Sequence, residues 1–213
     1  ILEWLGKNHF GNYVHINLET MTGVRTMFDG DITPQRVIRF LESATGERIL
    51  PGETLIILDE IQSCERALTS LKMFCEEAPQ YAVAAAGSLL GVAINRERYS
   101  FPVGKVDELC LYPLDFEEFL LAIGKPLLAE DIRSHYLTMS AMPDAEHEMA
   151  IDAYQQYLIV GGMPAAVSKY VETGSFLAAA AEQQAILNDY TADMAKYASP
   201  TTAVKIRACY NSI

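Results

Sequence analysis

The chain has 213 residues, half of them apolar, which is enough to bury one sizeable core and a small second lobe. Its 28 acidic and 16 basic residues give a net charge of -12. Because no basic run is present, this acidic balance argues against broad, sequence-independent binding to a nucleic-acid backbone.

The first half of the chain alternates predicted strands and helices. Strands are predicted at residues 13–19, 55–58, 81–87 and 104–111, and helices at the start of the chain, after the cap residue Thr33, and over 65–77. The run Leu55–Leu58 is continuously apolar, which is typical of a strand buried on both faces of a parallel sheet. This order predicts an α/β fold with an open parallel sheet covered by helices.

After Pro113 only helical periodicity is found. Asp115, followed three residues later by Glu118, predicts a capping box at the start of the first of these helices. Further helices are predicted at residues 126–139, 146–160, 164–172, 175–197 and from 202 onward. The GGMP element at 161–164 breaks the series, and we assign it a structural role. These patterns predict an α/β core over 1–113, a helical lobe over 114–198 and a third segment over 199–213.

Two adjacent carboxylates, Asp59 and Glu60, follow the apolar run. Parallel sheets bind ligands at the carboxyl ends of their strands, so Asp59 is placed to hold the hydrated Mg²⁺ of a bound ATP. Glu60 faces differently and can orient or deprotonate the attacking water. This is the Walker B pattern of P-loop NTPases. The alternative is that Asp59 caps the next helix and Glu60 is a solvated charge.

The phosphate-binding loop of such a site is missing from this sequence. No G-x-x-x-x-G-K-[ST] occurs, and Gly6-Lys7 precedes a strand rather than a helix. We expect the loop to lie upstream of Ile1, with the chain a fragment at both ends. The 213 residues alone are therefore expected to bind ATP weakly or not at all and to be inactive.

The chain resembles the prokaryotic AAA+-like ATPases of the archaeal-ATPase and STAND-related kind. The matching stretches are YVHINLE (13–19), LIILDEIQSCERALTSLKMFCE (55–76), AAGSLLGV (85–92), SFPVGKVDELCLYPLDFEEFL (100–120) and YLIVGGMPAAV (157–167). The resemblance implies an ATP-binding core, a helical lid and a winged-helix segment that starts near residue 200. Relatives often carry a restriction-endonuclease-like domain after these parts.

By resemblance, Asp59 and Glu60 are the Walker B pair, and Ser88 is the sensor 1 residue that contacts the γ-phosphate or the water. From its position alone, Ser88 could equally cap a short helix. Relatives place an arginine where this chain has Lys105, which leaves Arg96 and Arg98 as other candidates for an arginine finger.

Histidines and cysteines contribute no further predicted site. The histidines lie apart along the chain and are predicted to have surface or packing roles: His9, His15, His135 and His147. The cysteines lack the spacing of a zinc site and are predicted to be buried thiols of a reducing compartment: Cys64, Cys75, Cys110 and Cys209. Since no signal peptide or membrane-spanning run is found, we expect a cytoplasmic protein.

The sequence thus predicts an Mg²⁺-dependent AAA+ ATPase that couples its nucleotide state to the helical lobe and to an effector domain. The alternative is a nucleotide-independent interaction module that keeps a degenerate P-loop fold. A protein partner or self-association is compatible with either prediction, whereas neither a membrane nor nucleic acid is indicated.

Overall fold

The computed structural model describes residues 1–87, 104–196, 200–210 and 212. The chain divides into two compact units, residues 1–109 (unit 1) and 110–213 (unit 2). Separate clusters of buried apolar side chains stabilise each unit. Within the described residues, no helix is both long enough and apolar enough to cross a membrane.

Unit 1 alternates strands and helices, as the sequence predicts. Its strands are β1 (Asn12–Asn17), β2 (Thr54–Asp59) and β3 (Ala82–Ala85). Its α-helices are α1 (Leu2–His9), α2 (Thr22–Arg25), α3 (Pro34–Thr45) and α4 (Glu65–Glu77), and 3₁₀ helices lie at Thr26–Asp29 and Ile61–Ser63. The described strands form a parallel sheet in the order β1-β2-β3.

Strand β2 is covered on both faces. Residues 54–58 are all buried, which confirms the prediction from the continuous apolar run. On one face, Ile56 and Leu58 join the core side chains of β1, α3 and α4: Val14, Ile16, Val37, Leu41, Leu68, Leu71 and Phe74. On the other face α1 packs so closely that a Cβ on Gly6 would lie 2.6 Å from the Cβ of Tyr13. Strand β2 therefore lies between α3 and α4 on one face and α1 on the other.

Unit 2 is all helical in the part that the structure describes. Its helices are α5 (Phe116–Ala122), α6 (Pro126–Thr138), α7 (Asp144–Val160), α8 (Pro164–Thr173), α9 (Phe176–Lys196) and α10 (Pro200–Tyr210). The predicted capping box is confirmed. The backbone N–H of Glu118 donates to the Asp115 carboxylate at 2.8 Å, and the backbone N–H of Asp115 donates to the Glu118 carboxylate at 2.9 Å. These two bonds satisfy otherwise unpaired donors at the start of α5.

The chain between α7 and α8 makes a close backbone contact with the residue before α5. The N–H of Leu114 donates to the Gly162 carbonyl at 2.7 Å, and the Tyr157 hydroxyl donates to the Leu114 carbonyl at 2.9 Å. A Cβ on Gly162 would overlap the Leu114 oxygen and come within 3.1 Å of its nitrogen and carbonyl carbon. The neighbouring Gly161 has a φ of +71°. Both positions therefore suit glycine, in keeping with the structural role assigned to 161–164.

Two predictions for unit 1 and its end are wrong. Residues 104–111 form a turn followed by irregular backbone rather than a strand. Gly104 has a φ of +71°, and Leu109 is 95% exposed, because no described strand lies beside it to cover its apolar face. Thr33 precedes α3, but its hydroxyl donates to the Asp31 carboxylate at 3.2 Å and does not cap the helix.

The prediction that the cysteines are buried is also wrong for most of them. Cys64 is partly buried, whereas Cys75, Cys110 and Cys209 are exposed free thiols. In α4, the buried face comprises positions 67, 68, 70, 71 and 74, and Cys75 lies outside it.

Candidate functional site

The predicted carboxylate pair lies at the carboxyl edge of the sheet. Asp59 is the last residue of β2, and Glu60 follows it directly. The N–H of Leu18, just beyond β1, donates to the Asp59 carbonyl at 2.9 Å, and the N–H of Ala86, just beyond β3, donates to the Leu58 carbonyl at 2.9 Å. Bonds from both neighbouring segments therefore fix the end of β2, which carries Asp59, at the edge where parallel sheets bind ligands.

The Asp59 carboxylate makes polar contacts with three neighbouring residues. One oxygen, Oδ1, accepts the backbone N–H of Glu60 at 3.0 Å. The other, Oδ2, accepts from the Asn17 amide at 3.4 Å and lies 3.3 Å from Nε2 of His15. With 30% of its side chain exposed, Asp59 is anchored yet reachable from solvent. It does not cap α4, whose N-cap residue is Cys64, so this part of the structural alternative is wrong.

Glu60 adopts a backbone conformation that is uncommon for a residue with a side chain. Its φ of 52° and ψ of 44° lie in the left-handed region, which costs a non-glycine residue about 1 kcal/mol. The Gln62 amide donates a close hydrogen bond to Glu60 Oε2, so the Glu60 carboxylate has a different partner from the Asp59 carboxylate. Strain of this kind is concentrated at functional sites.

His15 belongs to this site, although a surface or packing role is predicted for it from the sequence. Its Nδ1 lies 2.8 Å from Oε1 of Glu3 in α1, and its Nε2 faces Asp59. Glu3 also lies 3.8 Å from the Lys7 ammonium one turn further along α1. In sequence, His15 is 12 residues from Glu3 and 44 from Asp59, so no local motif could have revealed the set.

A cleft of about 600 Å³ borders the site on the side of Gln62. It is lined by Thr22, Arg25, Thr26, Asp29, Gln62, Ser63, Cys64, Glu65 and Arg66. Gln62 Oε1 is buried and has no hydrogen-bond partner among the described residues. Partial burial raises the pKa of the Cys64 thiol. Because Asp59 and Glu60 do not line this cleft, it is a neighbour of the carboxylate site and separate from it.

The remaining predicted site residues are not brought into this arrangement. Ser88, Arg96 and Arg98 lie outside the described residues. The Lys105 ammonium lies 3.2 Å from the Glu76 carboxylate at the end of α4, so it forms a half-exposed surface ion pair. The sensor 1 and arginine-finger roles therefore stay predictions.

Comparison with known proteins identifies the family of the chain. A family model described as an AAA domain matches residues 2–120, more than half of the sequence. The chain belongs to the AAA domain family. This membership places it among the P-loop ATPase-like proteins, and it agrees with the resemblance carried by the Walker B pattern and with the parallel α/β sheet. A nucleotide-binding, ATPase-like function is the coarse function that this membership supports.

Other comparisons add little about this AAA domain protein. A model described as a domain of unknown function matches residues 151–213. No curated protein matches the chain. Among solved structures, a Walker-type ATPase of Pyrococcus abyssi shares 12% sequence identity with this chain, and the two structures superpose with a TM-score of 0.39. The match covers 89% of this chain and 59% of that protein. The chain thus spans 59% of that protein's length. A TM-score this low supports no inference, and a restriction-endonuclease-like C-terminal domain stays a prediction.

Proposed function

We propose that this AAA domain protein binds ATP with Mg²⁺ at the carboxyl edge of its sheet and hydrolyses it. The observation that carries the proposal is the placement of Asp59 and Glu60. Asp59 ends the central, doubly covered strand, whose end is held by bonds from both neighbouring segments, and Glu60 follows it with different side-chain partners. Two adjacent carboxylates with separate surroundings suit two separate roles, one toward a metal ion and one toward water.

Asp59 is the residue that would hold the hydrated Mg²⁺, through one of the ion's waters. Carboxylate oxygen is a preferred donor for this ion, which binds through one or two carboxylates, keeps several waters and takes its other ligands from phosphates. The described residues hold no group of three or more His, Cys, Asp or Glu that could form a metal cage. A single anchored carboxylate with part of its surface exposed fits an ion that arrives with its nucleotide. When bound, Mg²⁺ would neutralise charge that develops on the transferred phosphoryl group.

Glu60 is the residue that would orient the attacking water and accept its proton. One of its carboxylate oxygens accepts the Gln62 amide, which leaves the other available to water. The bond from Gln62 also restrains the position of the Glu60 carboxylate. Ser88, which follows β3 by three residues in the sequence, is proposed as the sensor of the γ-phosphate.

The nucleotide state would be coupled to the helical lobe and, in the whole protein, to an effector domain. The division of the chain into an α/β unit and a helical unit supports this proposal, because separate compact units can respond to a ligand as rigid parts.

The test is a Glu60→Gln substitution in the full-length natural protein. We expect Mg·ATP affinity by calorimetry to stay within a factor of about two, while ATP turnover falls by roughly 10²-fold or more, since only the proton acceptor is lost. Glu77→Gln, at the exposed end of α4, is the matched control and should change neither quantity.

Equal loss of binding and turnover in Glu60→Gln would remove the role assigned to Glu60. If the wild-type full-length protein bound no Mg·ATP at all, the ATPase proposal would fail. The alternative of a nucleotide-independent interaction module would then take its place.

A further inference from the structure

We propose that His15, held by Glu3, is a positioning residue for Asp59. It would fix the orientation of the carboxylate that contacts the hydration shell of Mg²⁺. This inference rests on the proposed function. It adds Glu3 and His15, which no sequence motif identifies, to the residues of the Mg²⁺ site.

The geometry begins with the register of β1 and β2. Asn17 lies directly opposite Asp59, and His15 lies opposite Ile57, two residues earlier on the same face of the sheet. The imidazole therefore reaches diagonally along the strand, and its Nε2 comes to 3.3 Å from Asp59 Oδ2. Asn17 reaches the same oxygen at 3.4 Å. Two side chains of β1 thus converge on one carboxylate oxygen of β2.

Helix α1 fixes the other end of the imidazole. Gly6 allows α1 to approach the sheet closely over Tyr13, and this approach brings Glu3 to 2.8 Å from His15 Nδ1. Each nitrogen of the His15 ring therefore lies within hydrogen-bond distance of a carboxylate, Nδ1 beside Glu3 and Nε2 beside Asp59; a neutral imidazole donates to one of them and an imidazolium to both. Such a ring can orient a neighbouring carboxylate more firmly than a side chain anchored on one side only.

Asp59 needs this support because its other contacts are weak or local. The Glu60 N–H holds Oδ1, and the Asn17 amide reaches Oδ2 only at 3.4 Å, while the terminal torsion of an aspartate is broad. Removing such a contact from a direct metal ligand typically changes metal affinity by about 10- to 100-fold, and we expect the lower end of that range for a carboxylate that acts through water. An effect on Mg²⁺ affinity, rather than on nucleotide contacts, is therefore the signature of the proposed role.

The experiment measures the Mg²⁺ dependence of binding of a non-hydrolysable ATP analogue to the full-length protein by calorimetry. The variants are His15→Ala, His15→Gln, Glu3→Gln and the double variant Glu3→Gln/His15→Ala. His9→Ala is the matched control, since His9 is an exposed histidine of α1 whose ring lies beside Trp4. Thermal melts establish that each variant is folded.

We expect His15→Ala to weaken the apparent Mg²⁺ affinity about tenfold or more, with analogue binding in EDTA unchanged. His15→Gln should recover part of the loss, because its amide can donate to Asp59 but cannot also reach Glu3. Glu3→Gln should weaken Mg²⁺ binding in the wild-type background and have no further effect in the His15→Ala background. His9→Ala should match the wild type.

Unchanged or tighter Mg²⁺ affinity in His15→Ala would overturn the positioning role, as would an equal loss of analogue binding in EDTA. If His15→Ala does not fold, the graded His15→Gln and Glu3→Gln results decide the question in the same way. If the wild-type protein binds the analogue with Mg²⁺ and the His15 variants bind Mg²⁺ with the same affinity, only this inference is refuted. A wild-type protein that binds no analogue refutes the proposed function and this inference with it.

Discussion

Replacing Gly162 with alanine tests whether the break between α7 and α8 supports unit 2. The added Cβ would overlap the Leu114 carbonyl oxygen and crowd two further backbone atoms of Leu114. Since the obstacle is backbone and not the end of a flexible side chain, one of the two segments has to move. The N–H bond from Leu114 to the Gly162 carbonyl and the bond from Tyr157 to Leu114 would be lost or weakened.

The size of the effect follows from these contacts. Each hydrogen bond contributes about 0.5–1.5 kcal/mol, and overpacking typically costs about 1–3 kcal/mol. We therefore expect Gly162→Ala to lower the free energy of unfolding of unit 2 by about 3 kcal/mol. With a urea m-value of about 2 kcal/mol/M, the midpoint of the transition should fall by about 1.5 M.

Urea denaturation followed by far-UV circular dichroism measures the shift, and hydrogen exchange of the Leu114 amide reports the local bond. Gly23→Ala is the matched control, because a Cβ on Gly23 meets nothing within 4 Å and the residue lies in α2. It should be neutral or slightly stabilising. A Gly162→Ala midpoint equal to that of the wild type, with the Leu114 amide equally protected, would refute the reasoning.

Two further predictions concern unit 1. Glu60→Gly should relieve the left-handed strain and raise the free energy of unfolding of unit 1, measured in urea, by about 0.5 to 1 kcal/mol. The same substitution should abolish hydrolysis in the full-length protein. A decrease in the free energy of unfolding of more than about 1 kcal/mol would contradict the relief of strain. The raised pKa of Cys64 keeps its thiol protonated to higher pH than usual, so at neutral pH it should react with maleimide about tenfold or more slowly than the exposed Cys75. Peptide mass spectrometry after timed quenching gives both labelling rates. Faster labelling of Cys64 than of Cys75 would contradict the partial burial of Cys64.

The features that the sequence predicted correctly are those encoded by local patterns. The uninterrupted apolar run of β2 is buried on both faces, and the carboxylates follow it at the sheet edge. The Asp115 capping box spans three residues and depends on no distant contact. In such cases propensity, pattern and packing all favour the same structure.

The features that the sequence missed depend on contacts between distant residues. Apolar residues at 104–111 suggested a strand, but a strand forms only where a neighbour pairs with it, and Leu109 has no described neighbour of that kind. His15 gains its partners through the strand register and the close approach of α1. The left-handed backbone of Glu60 could not be predicted either, because nothing in its residue type favours it.

The most direct test of the central claim is the position of the metal ion in a nucleotide complex of the full-length protein. Mn²⁺ replaces Mg²⁺, and its anomalous scattering locates it in crystals grown with a non-hydrolysable ATP analogue. We expect an Mn²⁺ peak about 4 Å from the Asp59 carboxylate, with one water between them, and the analogue's γ-phosphate on the side of Glu60. A bound analogue whose Mn²⁺ lies elsewhere, with no water-mediated contact to Asp59, would contradict it.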